Sequence, residues 1–317
     1  MSAGWNTIES DAGVFTYLLE NLGVKDVQFE ELLTLDPAAL LPLHPVYGLI
    51  FLFKFPTDKP YTTPSSPLDG TFDHEASENL FFAHQTIQNA CGTQALLSLA
   101  LNRPELDIGE QLRDFRDFAG ALPPDVRGEA LSNSELIREV HNSFARSSPF
   151  VDETEREGDE GDAFHFIAYL PRNGKLYELD GLQPAPISHG DCSDSDFAER
   201  VMDVLQRRVA RYDISEIRFN LLAMVRDRRV AAREVGDVEA LEAEERKREG
   251  WMFENALRRH NFVAFAGEVL KGVAREKVKS GKFEEWVGEA ERRRVAEWEQ
   301  IQRIRGRKQG GDVEMGG

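Results

Sequence analysis

The chain has 317 residues, of which 41% are hydrophobic and 30% are charged, so most of it is expected to fold around a sizeable core. Its formal net charge of −18 disfavours binding to nucleic acid and to anionic membrane surfaces, and it favours basic partners. No apolar run reaches the roughly 20 residues of a membrane helix, and the first ten residues lack the basic and apolar regions of a signal peptide.

Strand and helix signals alternate along the N-terminal part of the chain. Residues Val46–Phe55 form a continuous β-prone apolar run, which predicts a buried central strand. A polar loop follows over 56–79, and Leu80–Gln85 predicts a short strand. Helical periodicity begins at Asn89, which we interpret as the N-cap, and Pro104 ends it.

The same alternation continues towards residue 226. The sequence Ser132–Glu135 matches a capping box and predicts a helix that runs to about Arg146. Three strand-like stretches follow, at Phe164–Leu170, Leu176–Leu179 and Phe219–Val225. The irregular order of helices and strands predicts an α/β or α+β fold of packed layers for residues 1–226.

The composition changes beyond residue 226. Residues 227–250 are rich in charge and in good helix formers, which predicts an exposed helical linker. Apolar residues return after Trp251, so residues 251–306 are predicted to form a helical C-terminal docking extension. The Gly-rich tail at 307–317 is predicted to be disordered.

Cys91 is the first residue that carries a chemical signal. It opens the predicted helix, where partial positive charge and free N–H groups favour a thiolate nucleophile. The chain has one other cysteine, Cys192, and no Cys-x-x-Cys motif, which argues against a disulfide framework and a structural zinc site. A lone cysteine is more often a buried structural residue, so this signal needs support from partner residues.

Gln85 lies six residues before Cys91. A short turn between them would place the Gln85 amide and the Cys91 backbone N–H beside a developing oxyanion. On its own a glutamine at a strand end more often caps or faces solvent.

The strongest geometric signal lies between His165 and Asp180. The dipeptide Asn173–Gly174 is the preferred two-residue hairpin turn. In the register that this turn sets, His165 and Asp180 are diagonal neighbours on one face of the sheet, about 7–8 Å apart at the backbone. Their side chains can close that gap to a hydrogen bond. The sequence therefore predicts a triad in which Asp180 orients His165.

The other six histidines receive no catalytic role. Those at 44 and 84 are set aside by their loop position and strand face, and the remaining four lack a cysteine or acid partner by spacing. They are His44, His74, His84, His141, His189 and His260. No cluster of metal ligands is present, so neither a metal nor a cofactor is predicted.

These motifs together resemble the ubiquitin C-terminal hydrolases, papain-like cysteine proteases with the chain order Gln, Cys, His, Asp. The stretches that carry the resemblance are Trp5–Phe15, Gly48–Phe53, Gln85–Ala95, Leu131–Arg146, His165–Tyr169 and Leu176–Leu182. The resemblance implies a papain-like layered fold with a central sheet flanked by helices. It also implies Cys91 as nucleophile, His165 as general base and acid, Asp180 as orienter and Gln85 as oxyanion donor. One departure is Gly92, where the family often has alanine.

Asn255–Phe262 and the apolar helix after it resemble the C-terminal extension of the proteasome-associated branch of that family. In that branch the extension binds a ubiquitin-receptor subunit of the proteasome's regulatory particle. The resemblance thus implies ubiquitin, ubiquitinated proteins and that receptor as partners, and a cytoplasmic and nuclear location. The acidic segment 146–162 lacks apolar periodicity and corresponds to the family's crossover loop over the active-site cleft.

Two alternatives stay open on the residues alone. A catalytically silent ubiquitin-binding scaffold is disfavoured because the Gln, Cys, His and Asp set is intact. An unrelated papain-like peptidase is disfavoured because the Cys-Gly-Ser-Cys-Trp type of signature is absent.

Overall fold

The computed structural model describes residues 4–54, 66–145, 164–212, 219–260 and 262–294. The chain divides into two compact units, Met1–His260 and Asn261–Gly317. The predicted crossover loop at 146–162 and the predicted disordered tail at 307–317 lie outside the described residues.

The described residues contain seven strands, which form one antiparallel sheet, and a larger number of helices. The strands are β1 (Val27–Glu31), β2 (Val46–Lys54), β3 (Thr71–Phe72), β4 (Phe164–Arg172), β5 (Lys175–Leu179), β6 (Ile187–Asp191) and β7 (Asn220–Arg226). The helices are α1 (Ala12–Asn21), α2 (Ala76–Asn79), α3 (Cys91–Ala100), α4 (Gly109–Gly120), α5 (Pro124–Asn133), α6 (Glu135–Asn142), α7 (Phe197–Val209), α8 (Arg228–Val235), α9 (Val238–Arg259) and α10 (Val263–Lys279).

The sheet has the strand order β1-β7-β2-β4-β5-β6-β3. The predicted central strand is confirmed, because β2 lies between β7 and β4 and both of its faces are covered. Ile50 packs into a core shared with α1 and α3, whereas its neighbour Phe51 packs into a core shared with α7. A strand buried on both faces has no polar alternation, which is why its sequence is a continuous apolar run. The predicted layered α/β class is confirmed.

The prediction of a strand at Leu80–Gln85 is wrong. The segment lies in no strand of the described sheet, and side chains bind its backbone groups instead. The buried guanidinium of Arg127 donates to the carbonyls of Leu80 and Phe82 at 2.9 and 2.7 Å. The Asn102 side chain accepts from the backbone N–H of Phe81 and donates to its carbonyl. Buried backbone groups need partners but not necessarily strand partners, and the local sequence does not reveal which they are.

Two helix starts differ from the predictions. The helix α3 begins at Cys91 after a 3-10 turn, and the Asn89 amide donates to the carbonyl of Trp5 at 3.0 Å, so Asn89 is not its N-cap. In the predicted capping box, Ser134 rather than Ser132 caps α6. The serine at 132 belongs to α5, a helix that was not predicted from the sequence.

The predicted linker at 227–250 is helical and most of its residues are exposed, but it is not separate from the catalytic unit. The helices α8 and α9 belong to the first compact unit. Arg248 is 3% exposed and pairs with Glu20 at 2.8 Å and with Asp227 at 3.1 Å. A Cβ on Gly13 of α1 would lie 2.6 Å from the ring of Trp251, so only glycine allows α9 to approach this closely. Within this largely exposed segment Arg248 can be buried, because its guanidinium meets the carboxylates of Glu20 and Asp227.

The second unit contains α10, and residues 283–294 are also helical. Several large apolar side chains on α10 are exposed, namely Phe265, Val269, Leu270, Val273 and Val278. None of the described helices is both long and apolar enough to cross a membrane.

Candidate active site

Cys91 is the first residue of α3, directly after the 3-10 turn at Gln88–Ala90. It is a free thiol and is 8% exposed. The N–H groups of the first helical turn have no partners within the helix and point towards this end. The sulfur therefore lies where a negative charge is stabilised by the helix itself.

The predicted hairpin is confirmed. Asn173 and Gly174 both have positive φ values, 51° and 77°, as the two-residue turn requires. The β4–β5 register pairs Arg172 with Lys175, as predicted. His165 near the start of β4 and Asp180 just after β5 are thereby brought together.

The His165 Nε2 lies 2.7 Å from Asp180 Oδ1, and both residues are 3% exposed. His165 also forms a side-chain hydrogen bond with Cys91. Because Nε2 is occupied by Asp180, Nδ1 is the nitrogen available to the sulfur. The three side chains predicted from the sequence thus form one connected chain from acid to imidazole to thiol.

The site favours charged forms of the acid and the imidazole. Burial raises the pKa of Asp180, but the charge and hydrogen bond of His165 and the backbone N–H of Leu182, at 2.9 Å, outweigh it and hold that pKa below its usual range. Burial likewise lowers the pKa of His165, but Asp180 and Cys91 together raise it to about 9. An imidazolium beside a sulfur stabilises the thiolate, the nucleophilic form of cysteine.

Gln85 lies beside the turn that follows Asp180. Its backbone N–H donates to the carbonyl of Gly181 at 2.8 Å, and its side chain is half-buried. A Cβ on Gly181 would lie 3.0 Å from both the Gln85 Cβ and the carbonyl oxygen of Ala83, so this close approach requires glycine. The segment that contains Gln85 and the turn that follows Asp180 are therefore held against each other.

Sequence reasoning missed the residues that support the triad. The Gln183 amide donates to the second oxygen of Asp180 at 3.3 Å, and Phe53 faces His165 across the β2–β4 pair. An Asp-Gly dipeptide is a turn signal, so a turn that holds the carboxylate was within reach of the sequence. The Phe53 contact was not, because it depends on the register between distant strands.

The prediction that His189 lacks an acid partner is wrong. Its Nε2 lies 3.0 Å from Glu178 Oε2. The two residues are on β6 and β5, whose pairing contains a register shift that simple spacing does not reveal. Within the described ranges, no group of three His, Cys, Asp or Glu side chains is arranged to hold a metal ion.

The comparison with known protein families decides the identity of this site. The family model described as "Ubiquitin carboxyl-terminal hydrolase, family 1" matches residues 5–210, which include Gln85, Cys91, His165 and Asp180. The chain belongs to this family. A second model, described as "Ubiquitin carboxyl-terminal hydrolases", matches residues 236–278, across α9 and most of α10. The predicted enzyme class, a thiol-dependent hydrolase of the ubiquitin C-terminal hydrolase family, is confirmed.

Individual relatives agree with the family model. Ubiquitin carboxyl-terminal hydrolase 2 of Schizosaccharomyces pombe is 49% identical over 284 residues, which cover 86% of this chain and 92% of the relative. Ubiquitin carboxyl-terminal hydrolase isozyme L5 of Dictyostelium discoideum is 47% identical over 231 residues, 73% of this chain and 64% of the relative. Among solved structures, UCH37 of Trichinella spiralis bound to ubiquitin vinyl methyl ester matches with a TM-score of 0.61 and 32% identity, over 80% of this chain and 99% of that chain.

Proposed function

We propose that this hydrolase cleaves amide, isopeptide or thioester bonds at the C-terminal glycine of ubiquitin through an acyl-enzyme on Cys91. The observation that carries the proposal is the unbroken contact from Asp180 through His165 to Cys91. A thiol at a helix start, in contact with a charged imidazole, is an activated nucleophile. The family membership of the chain supplies the substrate class.

The reaction has two steps. The Cys91 thiolate attacks the glycine carbonyl carbon, and His165 gives its proton to the leaving amine as the C–N bond breaks. The product is a thioester between ubiquitin and the enzyme. His165 then takes a proton from water, whose oxygen attacks the thioester carbon, and the released sulfur returns to its starting state. Throughout, Asp180 holds the imidazole orientation and stabilises its charge.

Gln85 is proposed as the oxyanion donor. Both tetrahedral intermediates carry negative charge on the former carbonyl oxygen. The Cys91 backbone N–H at the helix start is one donor for it, and a side-chain amide is the usual second donor. The bond between the Gln85 backbone and Gly181 keeps this residue beside the triad, which supports the assignment.

Ubiquitin and ubiquitinated proteins are the proposed binding partners. The Trichinella spiralis relative was solved with a ubiquitin vinyl methyl ester, an electrophilic form of ubiquitin. The net charge of −18 is compatible with a basic ubiquitin tail. A silent scaffold would also bind ubiquitin, so the experiment has to separate binding from chemistry.

The test uses an electrophilic ubiquitin probe on the full-length chain. Wild type should form a covalent adduct at Cys91, and Cys91→Ala should form none and lose hydrolysis while still binding ubiquitin. Cys192→Ala is the matched control, because Cys192 is also a buried free thiol but burial raises its pKa to about 11. Absence of an adduct on folded wild type would favour the silent scaffold, and loss of the adduct in Cys192→Ala would overturn the assignment of the nucleophile.

We propose as a second function that α10 docks a ubiquitin receptor of the proteasome's regulatory particle. Its exposed apolar side chains are the observation in favour, because a helix with an uncovered apolar face is a common peptide-recognition element. Leu270→Ser should weaken receptor binding, whereas Lys271→Ser, a change of an exposed ion-paired neighbour, should not. Equal binding by both variants would count against α10 as the docking element.

A cytoplasmic and nuclear location follows from work at the proteasome and is proposed on that basis alone. Imaging of the tagged full-length protein would check it. Retention in any membrane-bound secretory compartment would contradict this location.

A further inference from the structure

A cluster of buried polar groups lies between α7 and the sheet. Glu178 is 4% exposed, and its carboxylate accepts hydrogen bonds from Arg208 Nη1 at 2.7 Å and from His189 Nε2 at 3.0 Å. The same Arg208 nitrogen donates to the hydroxyl of Tyr169 at 3.0 Å. Both bonds come from the single nitrogen Nη1, so they anchor that end of the guanidinium beside the sheet.

One aromatic ring connects this cluster to the active site. The guanidinium carbon of Arg208 lies 4.7 Å from the ring centroid of Phe53. Phe53 pairs directly with His165 in the β2–β4 register, and the two rings meet edge to face, with centroids 5.7 Å apart and planes at 84°. Both contacts are of favourable types, a cation over a ring and a T-shaped ring pair. Arg208, Phe53 and His165 therefore form a continuous chain of contacts.

These contacts matter because each side chain by itself sets its ring torsion only loosely. The χ2 angles of histidine and phenylalanine are broad, so neighbouring groups decide the plane of each ring. One hydrogen bond at Nε2 anchors His165 to Asp180 but leaves rotation about that bond. The perpendicular contact between the Phe53 ring and the imidazole limits this rotation.

The charge of Arg208 also reaches the catalytic acid. Burial raises the pKa of Asp180, His165 lowers it, and Arg208 adds to the lowering. Glu178 offsets the charge of Arg208 at its other side. Two groups act on the charge of His165 itself, Asp180 and Cys91, whereas Arg208 acts on Asp180.

We propose that Arg208 is a positioning residue for His165, which acts through Phe53 to set the plane of the imidazole for proton transfer between Cys91 and the leaving group. This inference rests on the proposed catalytic roles of Cys91 and His165. It adds a residue on a distant helix that touches neither the substrate nor the reacting atoms.

A merely structural role is the alternative, and the choice of variant removes it. Loss of Arg208 alone leaves the buried Glu178 carboxylate without its guanidinium partner, which destabilises the fold. The test variant is therefore Arg208→Met with Glu178→Gln, in which both charges are removed together. Arg207→Met is the matched control, because Arg207 is the preceding residue of α7 and pairs with Asp69 on an exposed surface.

The first measurement is steady-state cleavage of a fluorogenic amide at the C-terminus of ubiquitin. The double variant should lose roughly tenfold in kcat or more, with KM within about twofold of wild type, because misorientation affects the chemical step rather than binding. Arg207→Met should match wild type. An unchanged kcat in the folded double variant, or a change confined to KM, would overturn the proposal.

The second measurement is the rate of Cys91 alkylation by iodoacetamide as a function of pH, followed by mass spectrometry without ubiquitin. The midpoint of this profile should move to higher pH in the double variant, since a misplaced imidazolium stabilises the thiolate less. A variant with lowered stability but an unmoved profile would show a structural role only. If wild-type Cys91 itself reacts no faster than Cys192, the proposed catalytic function fails, and this result is distinct from failure of the Arg208 role.

Two further variants test the path through the ring. Phe53→Leu should reproduce the loss in kcat, and adding the Arg208 and Glu178 changes to it should lower kcat by no more than about twofold again, because the two act through one contact. Losses in kcat that multiply would show that Phe53 and Arg208 act independently, which would overturn the proposal. Arg208→Lys preserves the charge beside Glu178 and should remain folded, with a kcat between wild type and the double variant. Full activity of Arg208→Lys would show that the contact of the planar guanidinium with the Phe53 ring is not required, which would overturn the proposal.

Discussion

His165 combines two opposing influences on its charge. Burial disfavours the imidazolium, whereas Asp180 and Cys91 favour it and raise its pKa to about 9. The net effect is a charged imidazole at neutral pH on a buried side chain. This is the state from which a cysteine hydrolase starts, because the proton needed by the leaving group is already present.

Asp180→Asn is expected to lower kcat strongly while the fold survives, because the amide cannot stabilise the imidazolium or enforce its tautomer. Kinetics on a ubiquitin C-terminal amide, with circular dichroism to verify folding, will measure this. Asp36→Asn is a suitable control, since Asp36 caps an exposed 3-10 turn and asparagine caps equally well. Unchanged kinetics in folded Asp180→Asn would remove Asp180 from the triad.

The same variant has a signature in the pH dependence of stability. The folded pKa of His165 is raised from 6.5 to about 9, so its stabilising contribution is complete below pH 6.5 and is lost as the pH rises through about 9. The free energy of unfolding of wild type, measured with urea, should therefore fall as the pH rises from 6.5 to about 9. In Asp180→Asn the loss over the same window should be much smaller, and an equal loss in both proteins would contradict the assigned cause.

Gln85→Ala is expected to lower kcat by roughly 10²–10³, which is typical for loss of one oxyanion donor, with little change in KM. Gln206→Ala on α7 is a control for the same truncation at an exposed glutamine. The measurement is steady-state kinetics of both variants. An effect of Gln85→Ala on KM alone would show that the amide binds substrate rather than the oxyanion.

Among the elements, α3 decides the position of Cys91, the proposed nucleophile. Gly92 follows Cys91 in the first turn, where a glycine costs conformational entropy without any required positive φ. A Cβ at this position would meet Ile8 and Phe15 at 3.4 Å and Phe166 at 3.5 Å. These distances are ordinary packing contacts, so the space beside the helix accepts a methyl group.

Gly92→Ala is therefore expected to raise the free energy of unfolding by about 0.5–1 kcal/mol, because alanine restricts the unfolded chain and fits the folded one. Urea unfolding measures the change, and kcat should stay within about twofold. Gly128→Ala is the contrasting control, since its Cβ would collide with the backbone of His84. A destabilised Gly92→Ala would show that the layer around α3 cannot accommodate the methyl group.

At the scale of the molecule, the first unit extends to His260, beyond residues 5–210 that the hydrolase family model matches. The helix α9 packs on α1 through the Trp251 ring on Gly13 and through Asn255, whose amide donates to the Gly13 carbonyl at 3.4 Å. Arg258 near the end of α9 pairs with Glu9 at 2.9 Å. The region that precedes α10 is therefore part of the folded body of the enzyme.

Gly13→Ala is expected to destabilise the protein by about 1–3 kcal/mol, the usual cost of overpacking, because the methyl group collides with the Trp251 ring. In a Trp251→Leu background the same change should cost clearly less, since the colliding ring is gone. Thermal or urea unfolding of the four proteins completes the cycle. Equal costs in both backgrounds would show that α9 does not rest on α1 in solution.

Some features of this protein were determined by local sequence alone. The Asn173–Gly174 turn sets the β4–β5 register, and this register brings His165 to Asp180, so the acid–base pair was predictable from one hairpin. The apolar run of β2 likewise predicted a strand buried on both faces. Cys91 was predictable as a helix start within about two residues. In each case a short segment holds all the information, because the interacting residues are close in the chain.

Tertiary structure decided the features that join distant segments. Arg127 and Asn102 replace strand partners for the segment before Gln85, and no pattern within that segment could predict them. The burial of Arg248 depends on Glu20 and Asp227. The ring of Phe53 reaches His165 only through the β2–β4 register. Such contacts arise because buried polar and aromatic groups must find partners, and the partners are defined by how the layers pack rather than by the sequence nearby.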